Sequence, residues 1–283
     1  MTARPTGPLR GRLLLIGPAL LVLGLLALAL SSLLAASVTV PAGPWYTHYE
    51  RFLGQDLYAA YLYRSFRVAG WTTLCAVVIG YAIAYVMTRA TPSTRRIILM
   101  ILVLQFFSVS VTRIYSIILL LGNNGALNRG LLAAGVIDSP IRLIYNELGV
   151  VIGLVNAALP FAVFPIYSVL ERIPASFREA AHTLGAERGR IFWQIVFPLS
   201  LTGVGASVVI VFLYSLGAFA TPLMLGGGFV DLISVFSYEQ AINFSNYGFA
   251  AAGAVASTVL GLVLVYAFTT IVERGARAST PAT

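Results

Sequence analysis

Long apolar runs without charged residues dominate the hydrophobic pattern of the chain. A bilayer core of about 30 Å requires roughly 20 apolar residues in a helix that rises about 1.5 Å per residue. Six stretches approach this length, and none of them contains a carboxylate. They are residues 13–36, 68–87, 97–111, 148–170, 199–225 and 248–272. The pattern predicts an all-α polytopic membrane protein with six transmembrane helices.

Composition agrees with a membrane environment. The chain is 59% hydrophobic and 10% charged, whereas soluble domains are about half apolar. Arg4, Arg10 and Arg12 precede the first apolar run, as positive residues precede a cleaved signal peptide. The run is longer than the roughly 7–15 residues of such a signal. We therefore interpret it as a retained span.

The third run is interrupted by Arg113, which is followed by a second apolar stretch, 114–121. Arg113 lies 16 residues after Ile97, or about 24 Å along a helix. We expect its guanidinium to extend to the far membrane interface. The stretch after it is then expected to lie along the membrane surface.

The distribution of arginine predicts the orientation. Six spans place both termini on one side, which carries twelve arginines and four glutamates; the other side has six arginines and six carboxylates. Because basic residues are enriched in cytoplasmic loops, both termini are predicted to be cytoplasmic. The arginines are scattered among the spans rather than gathered on one face, which argues against nucleic-acid binding.

The sequence lacks the residues that several classes of chemistry require. The chain has no lysine, so it contains no P-loop to bind ATP. Cys75 is the single cysteine, and His48 and His182 fall on opposite sides of the predicted membrane, so no metal site or catalytic set is predicted. The absence of carboxylates from the spans also disfavours a secondary transporter driven by an ion gradient.

A few polar or small residues stand out within the spans. Gln105, Asn156 and Tyr214 are candidates to line a translocation path, although each could instead hydrogen-bond a neighbouring helix. Gly149 and Gly153 form a G-x-x-x-G pattern, which is typical of close helix packing.

The longest predicted cytoplasmic loop, residues 171–198, has helix signals of its own. Ser176 and Glu179 have the spacing of a capping box, which predicts a helix that starts near Phe177. Gly185 is placed to end that helix in a left-handed conformation. A second helix is predicted from about Ala186 into the fifth span.

Two interpretations of the first loop helix stay open on spacing alone. Ala180 and Ala181 could form a smooth patch beside Glu179 that fits a groove of another protein. Alternatively, Glu179 caps its own helix and the alanines reflect helix propensity.

A longer pattern in this loop resembles the signature of binding-protein-dependent ABC importer permeases: E-A-A, three residues, G, nine residues, then I-x-L-P. The pattern is carried here by Glu179, Ala180, Ala181, Gly185, Ile195 and Pro198. Phe197 stands where the family usually has leucine. Segments 120–128, 152–161 and 217–228 extend the resemblance and narrow it to permeases of the spermidine/putrescine type.

The resemblance implies a type I importer permease (MetI-like) architecture in a bacterial inner membrane. It implies that the 171–198 loop docks on an ATPase subunit through the signature residues. The expected protein partners are a second permease, two ATP-binding cassette subunits and a periplasmic binding protein. The chain itself is expected to be embedded in a lipid bilayer. ATP would be bound by the partner, so no cofactor is expected in this chain, and no enzymatic activity. The solute is expected to be a polyamine; another solute is the alternative.

The resemblance also suggests a division of the chain. Residues 1–67 are expected to form the first helix and a periplasmic loop, residues 68–272 a five-helix core with the 171–198 loop, and residues 273–283 a cytoplasmic tail. Asp231 and Glu239, in predicted outer loops, are candidate docking charges for the binding protein.

Two outer segments contain turn formers. Asn123, Asn124 and Gly125 are expected to form a turn, where a positive φ angle costs little for Asn and Gly. Thr221, Pro222 and the following glycines are expected to loosen the outer end of the fifth span.

Overall fold

The computed structural model describes residues 8–40 and 44–278, with the side chains of 17–40 and 44–271. Arg4 and the end of the predicted tail, residues 279–283, lie outside the described residues. No strand occurs within the described ranges. The helices are α1 (Pro8–Val38), α2 (Thr47–Gly54), α3 (Asp56–Arg89), α4 (Pro92–Phe107), α5 (Ser110–Leu121), α6 (Ala126–Ala133), α7 (Glu147–Arg172), α8 (Ala175–Thr183), α9 (Arg188–Ile191), α10 (Phe197–Gly217), α11 (Ala220–Gly226), α12 (Ile233–Ile242) and α13 (Tyr247–Ala278). A π-helical turn, Phe192–Val196, joins α9 to α10.

Five of these helical segments are long and apolar enough to cross a membrane, within the part of the chain described. They include α1, α3, α7, α13 and the continuous helical run Arg188–Gly217. The bent pair formed by α4 with the segment Ser110–Ala133 gives a sixth span if it is counted as one. The prediction of an all-α polytopic fold is confirmed.

The predicted end of the third span is wrong. α4 ends at Phe107, before the predicted boundary at residue 111, and the chain then turns by 108° into the next helical segment. Ser108 and Val109 have extended ψ angles, 136° and 129°, which interrupt the helix. The sequence pattern missed this bend because apolar residues continue on both sides of it.

The predicted end of the fifth span is also wrong. α10 ends at Gly217 rather than at residue 225, because Ala218 is extended (ψ 131°). A separate short helix, α11, follows and carries Thr221 and Pro222. Gly227 and Gly228 then have positive φ angles of 58° and 77°. The helix break and the glycine turn are therefore observed, whereas the expected loosening of this end stays a prediction.

Contacts divide the chain into two units. The first comprises residues up to 56 together with 237–256. Within it, the Tyr49 hydroxyl donates to Ser37 Oγ over 2.8 Å, and Phe249 packs on Phe52 with ring centroids 6.3 Å apart. The apolar side chains of α1 from residue 18 to residue 35 are exposed within this chain.

The second unit, residues 57–236 and 257–283, is organised around α7, which packs against α4, α10 and α11. A Cβ atom at Gly153 would lie 2.8 Å from Thr221 Cγ2, so glycine is needed for α11 to approach α7. A Cβ atom at Gly149 would lie 2.9 Å from Ile144 Cα, in the non-helical segment before α7. The interpretation as a helix-packing motif is therefore confirmed for Gly153, whereas Gly149 packs against a loop.

The 122–125 turn forms as predicted, but its backbone differs from the prediction. Asn123 and Asn124 do not have positive φ angles, and Gly125 has φ −74°. Glycine is required there for another reason, because a Cβ atom would lie 2.5 Å from the Leu120 carbonyl oxygen. The turn is therefore present, although none of these three residues uses a positive φ angle.

Candidate functional site

The first helix of the 171–198 loop, α8, begins without the predicted capping box. Its first residue is Ala175, its N-cap is Pro174, and no side chain caps it. Proline fixes its own φ near −65° and restricts the residue before it, so the helix can start directly after Pro174. The prediction that Ser176 and Glu179 cap the helix is wrong.

The end of α8 follows the prediction. Gly185 has φ +78°, its N–H donates to His182 O over 3.0 Å, and the N–H of Ala186 donates to Ala181 O over 3.0 Å. This pair of bonds is a Schellman motif, which satisfies the last carbonyl groups of a helix through a left-handed residue. The tight turn therefore fixes where α8 ends.

The two signature alanines face different environments. Ala181 is buried beside Met87, Leu170 and Ile191, whereas Ala180 is exposed. The expectation that both form one smooth patch is wrong, since residues adjacent in a helix point about 100° apart. Ala181 attaches α8 to the core, and Ala180 belongs to the free face.

The free face of α8 and its turn exposes large apolar side chains. Leu184 is 87% exposed and Phe177 is 52% exposed. Glu179 and Gly185 are exposed as well. Exposed apolar side chains with a nearby charge are typical of a protein contact surface.

A polar cluster anchors the start of the 171–198 loop. Arg95, near the start of α4, donates from Nη1 to Glu171 Oε1 over 3.0 Å, and the Tyr167 hydroxyl donates to the same oxygen over 2.8 Å. Glu171 is therefore held where α7 ends. This contact joins α4 and α7 at the base of the loop.

The second helix of the loop begins at Arg188, with Glu187 as its N-cap, rather than at Ala186. It continues through the π-helical turn into α10, and Pro198 lies in the first turn of α10. Ile195 is half-buried within the π turn. The hydrophobic pattern of the sequence does not predict this π turn.

Aromatic rings surround this turn. Phe192 packs against Tyr85 and Tyr81 of α3, with ring centroids 5.1 and 5.9 Å apart. Phe197, the departure from the family pattern, lies 5.8 Å from Tyr81. The Arg89 guanidinium lies 4.3 Å above the Tyr85 ring. We call Tyr81, Tyr85, Phe192 and Phe197 the aromatic joint.

Two of the three polar residues singled out within the spans are in direct contact. The Gln105 side chain donates from Nε2 to the backbone oxygen of Asn156. The Tyr214 ring packs on Phe161, with centroids 5.0 Å apart and planes tilted by 33°, and Phe161 in turn lies 5.3 Å from Phe106, the residue next to Gln105. Residues of α4, α7 and α10 are thus linked by contacts in which Phe161 and Tyr214 are half-buried and Phe106 is exposed. Their role in a translocation path stays a prediction.

Arg113 lies at the bend between α4 and α5. Its Nη1 atom donates to Gln105 O over 3.3 Å and lies 3.4 Å from Ser108 Oγ. The guanidinium thus binds the carbonyl end of α4, where the helix dipole is negative. These hydrogen bonds direct the side chain back to the end of α4. Its expected position at the far membrane interface stays a prediction.

A second charged group joins α3 and α7. Glu147, in the first turn of α7, lies 2.6 Å from Arg67 Nη2 through Oε2 and 3.3 Å from Arg64 Nε through Oε1.

Asp231 and Glu239, the candidate docking charges, are each half-buried. Their proposed part in docking a binding protein stays a prediction.

Comparison with known sequences places this arrangement in a class of transport proteins. Residues 58–278 match the family described as binding-protein-dependent transport system inner membrane component. The match covers most of the chain, which therefore belongs to this family. It is a multi-pass inner-membrane permease of the ABC importer class.

The similarity to individual proteins is more specific than the family match. The chain is 33% identical to the spermidine/putrescine transport system permease protein PotB of Haemophilus influenzae, over 88% of this chain and 87% of that protein. It is 36% identical to PotB of Escherichia coli K12, over 77% of this chain and 79% of that protein. The sulfate transport system permease protein CysT of Escherichia coli is 30% identical over 48% of this chain.

Solved structures support the fold. A bacterial ABC transporter involved in the import of the acidic polysaccharide alginate matches with a TM-score of 0.78 and 17% identity, over 93% of this chain and 96% of that chain. The MetNI methionine ABC transporter matches with a TM-score of 0.57 and 17% identity, over 78% and 95%. The predicted type I importer permease architecture is thereby confirmed.

Proposed function

We propose that this chain is one of two permease subunits of an importer driven by ATP, and that it translocates a polyamine such as spermidine or putrescine. The observation that carries the proposal is the identity of 33–36% to polyamine permeases over 77–88% of the chain. The likeness to a sulfate permease covers less than half of the chain. A polyamine is therefore the favoured solute.

The 171–198 loop is proposed to dock on an ATP-binding cassette subunit through the exposed face of α8. Glu179, Ala180 and Gly185 lie on or beside that face, while Ala181 and Ile195 pack on the core and Pro198 lies exposed in the first turn of α10. Leu184, at 87% exposure, supplies an apolar anchor of the kind that dominates protein contacts. ATP would be bound and hydrolysed by that partner, and this chain would perform no covalent chemistry.

The remaining assembly follows from this role. A second permease would complete the pore, and a periplasmic binding protein would deliver the solute to the side opposite the 171–198 loop. Both termini would be cytoplasmic, as the arginine distribution predicts. Inside the spans, the rings of Phe106, Phe161 and Tyr214 can attract an ammonium group without a carboxylate, because aromatic faces bind cations.

Reconstitution of the complete importer in proteoliposomes tests this proposal. Uptake of labelled spermidine or putrescine is expected to require ATP and the binding protein, and to stop when the ATPase subunits cannot hydrolyse ATP. Labelled sulfate should not accumulate. Uptake that continues on an ion gradient without the ATPase subunits would contradict the mechanism, and uptake of sulfate alone would contradict the solute.

Docking is tested by cross-linking. With Cys75 replaced by alanine, a cysteine at Leu184 is expected to cross-link to the ATPase subunit of the assembled importer. A cysteine at Leu119, which is 74% exposed on α5, serves as the control and should not. Equal cross-linking of both positions to the ATPase subunit would contradict the proposed docking surface.

A further inference from the structure

The buried positions of the helical run Arg188–Gly217 reveal a change of register at the π turn. From Val196 onward, buried residues recur every three or four positions, as an α-helix requires. They are Val196, Ser200, Gly203, Ser207, Val211 and Ser215, with Leu216 also buried at the end of the helix. The preceding buried residue is Ile191, five positions before Val196.

A spacing of five does not fit one face of an α-helix. At 3.6 residues per turn, residues five apart point about 140° away from each other. In the π turn the N–H of Phe197 donates to the carbonyl of Phe192, five residues earlier, so the wider turn brings such residues onto one face. Ile191 and Val196 are both buried for this reason.

The aromatic joint shows the same register. Phe192 and Phe197 are also five residues apart, and both rings pack on Tyr81, with centroids 5.9 and 5.8 Å away. An uninterrupted α-helix would direct only one of them toward α3. The π turn thus contains one residue more than the packing of the helix needs.

The extra residue bulges on the side away from the core. Trp193 and Gln194 are exposed, and Trp193 is 65% exposed. Gln194 makes a single described side-chain contact, accepting from Arg190 Nε over 3.0 Å. Nothing in the core therefore depends on the side chain of Gln194.

We propose that this π turn is a positioning element which lets the 171–198 loop change its rotation relative to α10 during transport. If the turn closes into an α-helix, the segment before it turns by about 100° and moves about 1.5 Å along the axis, while α10 keeps its packing. π turns occur frequently at functional sites. The inference rests on the proposed function, since it assumes that α8 is moved by the ATPase.

Deletion of Gln194 tests the inference directly. It places Ile191 and Val196, and likewise Phe192 and Phe197, four residues apart, so an uninterrupted α-helix keeps both pairs on one face. The importer is therefore expected to assemble at normal levels, but ATP-driven polyamine uptake should fall by roughly tenfold or more. The matched control is Gln194→Ala, which removes the bond to Arg190, keeps the chain length and should leave uptake unchanged.

The outcomes separate this inference from the proposed function. If the unmodified importer shows no ATP-driven uptake, the proposed function fails. If the unmodified importer and the deletion variant transport equally, only the inference fails. Amide hydrogen exchange of residues 192–197 in the unmodified importer gives a second measurement that does not depend on assembly of the variant. Exchange should differ between the nucleotide-free and ATP-trapped states, and identical exchange would overturn the inference.

Discussion

The helices of the second unit are interrupted in two ways, by the π turn before α10 and by the 108° bend between α4 and α5. Aromatic rings surround the π turn, with centroid distances of 5.1 to 6.2 Å around Phe192. Hydrogen bonds hold the bend: the Gln105 carbonyl accepts from Ser108 Oγ over 2.8 Å and from Arg113 Nη1 over 3.3 Å.

This difference indicates which interruption can move. Ring contacts tolerate sliding and tilting, because aromatic pairs are stable over a range of geometries. Hydrogen bonds weaken steeply when their angles change. The bend is also held by Ile114 and Ile117, which are buried in a cluster with Val150 and Leu154 of α7. We therefore expect the π turn to adapt during transport and the bend to stay fixed.

The largest effect is expected for Gly185→Arg, which tests whether the loop before the π turn must dock. A Cβ atom at Gly185 meets nothing within 4 Å, so the side chain points into open space and membrane insertion should be normal. A bulky charge on the docking face is expected to lower ATP-driven uptake by roughly 100-fold. Uptake in proteoliposomes and co-purification of the ATPase subunit measure the effect.

The control for this variant is Gly185→Asn. Both variants strain the backbone at φ +78°, but asparagine tolerates the left-handed region better than most residues and adds no charge. Uptake close to that of the unmodified chain is expected. Normal uptake by the arginine variant would contradict the proposal that this surface docks on the ATPase subunit. An equal loss of uptake in both variants would show instead that glycine is required at position 185 for its backbone conformation.

The next largest effect is expected beyond the bend, where the segment that follows α5 is held by Asn128 of α6, for Asn128→Leu. Asn128 is fully buried; it donates to Gly122 O and Ile141 O, each over 3.0 Å, and accepts from the N–H of Ile141 over 2.9 Å. Leucine would remove these three hydrogen bonds, each of which contributes about 1 kcal/mol, so the free energy of unfolding should fall by about 3 kcal/mol. The thermal midpoint of the detergent-solubilised importer measures the loss.

The exposed residue Asn123 offers a matched control for this variant. Asn123→Leu makes the same chemical change on the surface of the neighbouring 122–125 turn, and an effect within about 0.5 kcal/mol is expected. Equal midpoints for the two leucine variants would show that the buried hydrogen bonds do not stabilise this end of the unit.

The two interruptions also differ in how far the sequence predicts them. Gly185 was identified from its position alone, because a positive φ angle at a helix end is a local property. The bend depends on Arg113 reaching back eight residues to Gln105, and apolar residues on both sides hide it from the hydrophobic pattern. Uncharged runs do not predict the π turn, because the phase of the buried positions depends on contacts with α3 that the sequence does not show.

The signature residues illustrate the same limit. The E-A-A pattern located the 171–198 loop, but it did not indicate that Ala180 and Ala181 face different environments. The capping box was inferred from spacing, whereas Pro174 starts the helix. Local spacing therefore predicts where a site lies better than it predicts the direction of each side chain.

A smaller effect is expected for Arg113→Met, which tests whether hydrogen bonds fix the bend. Hydrogen bonds to charged groups contribute about 1.5–3 kcal/mol, so the free energy of unfolding should fall by about 2 kcal/mol. Spin labels at the exposed residues Met100 and Leu119, with Cys75 replaced, should report a broader distance distribution between α4 and α5. Arg113→Lys retains a charged donor and should restore part of the loss. An unchanged distribution in the methionine variant would show that packing alone holds the bend.

The smallest effect is expected for Tyr81→Phe, which removes a directional contact from the aromatic joint but keeps its ring. The Tyr81 hydroxyl lies 3.0 Å from Ser200 Oγ, and Ser200 Oγ also donates to Phe197 O over 2.8 Å. Ser200 therefore keeps a partner, and a loss of about 1 kcal/mol or less is expected, with uptake nearly unchanged. Tyr85→Phe is the control, since it keeps the ring that packs on Phe192. A strong loss of uptake in Tyr81→Phe alone would mean that a hydrogen bond sets the angle of the joint, and the π turn would then be held in the same way as the bend.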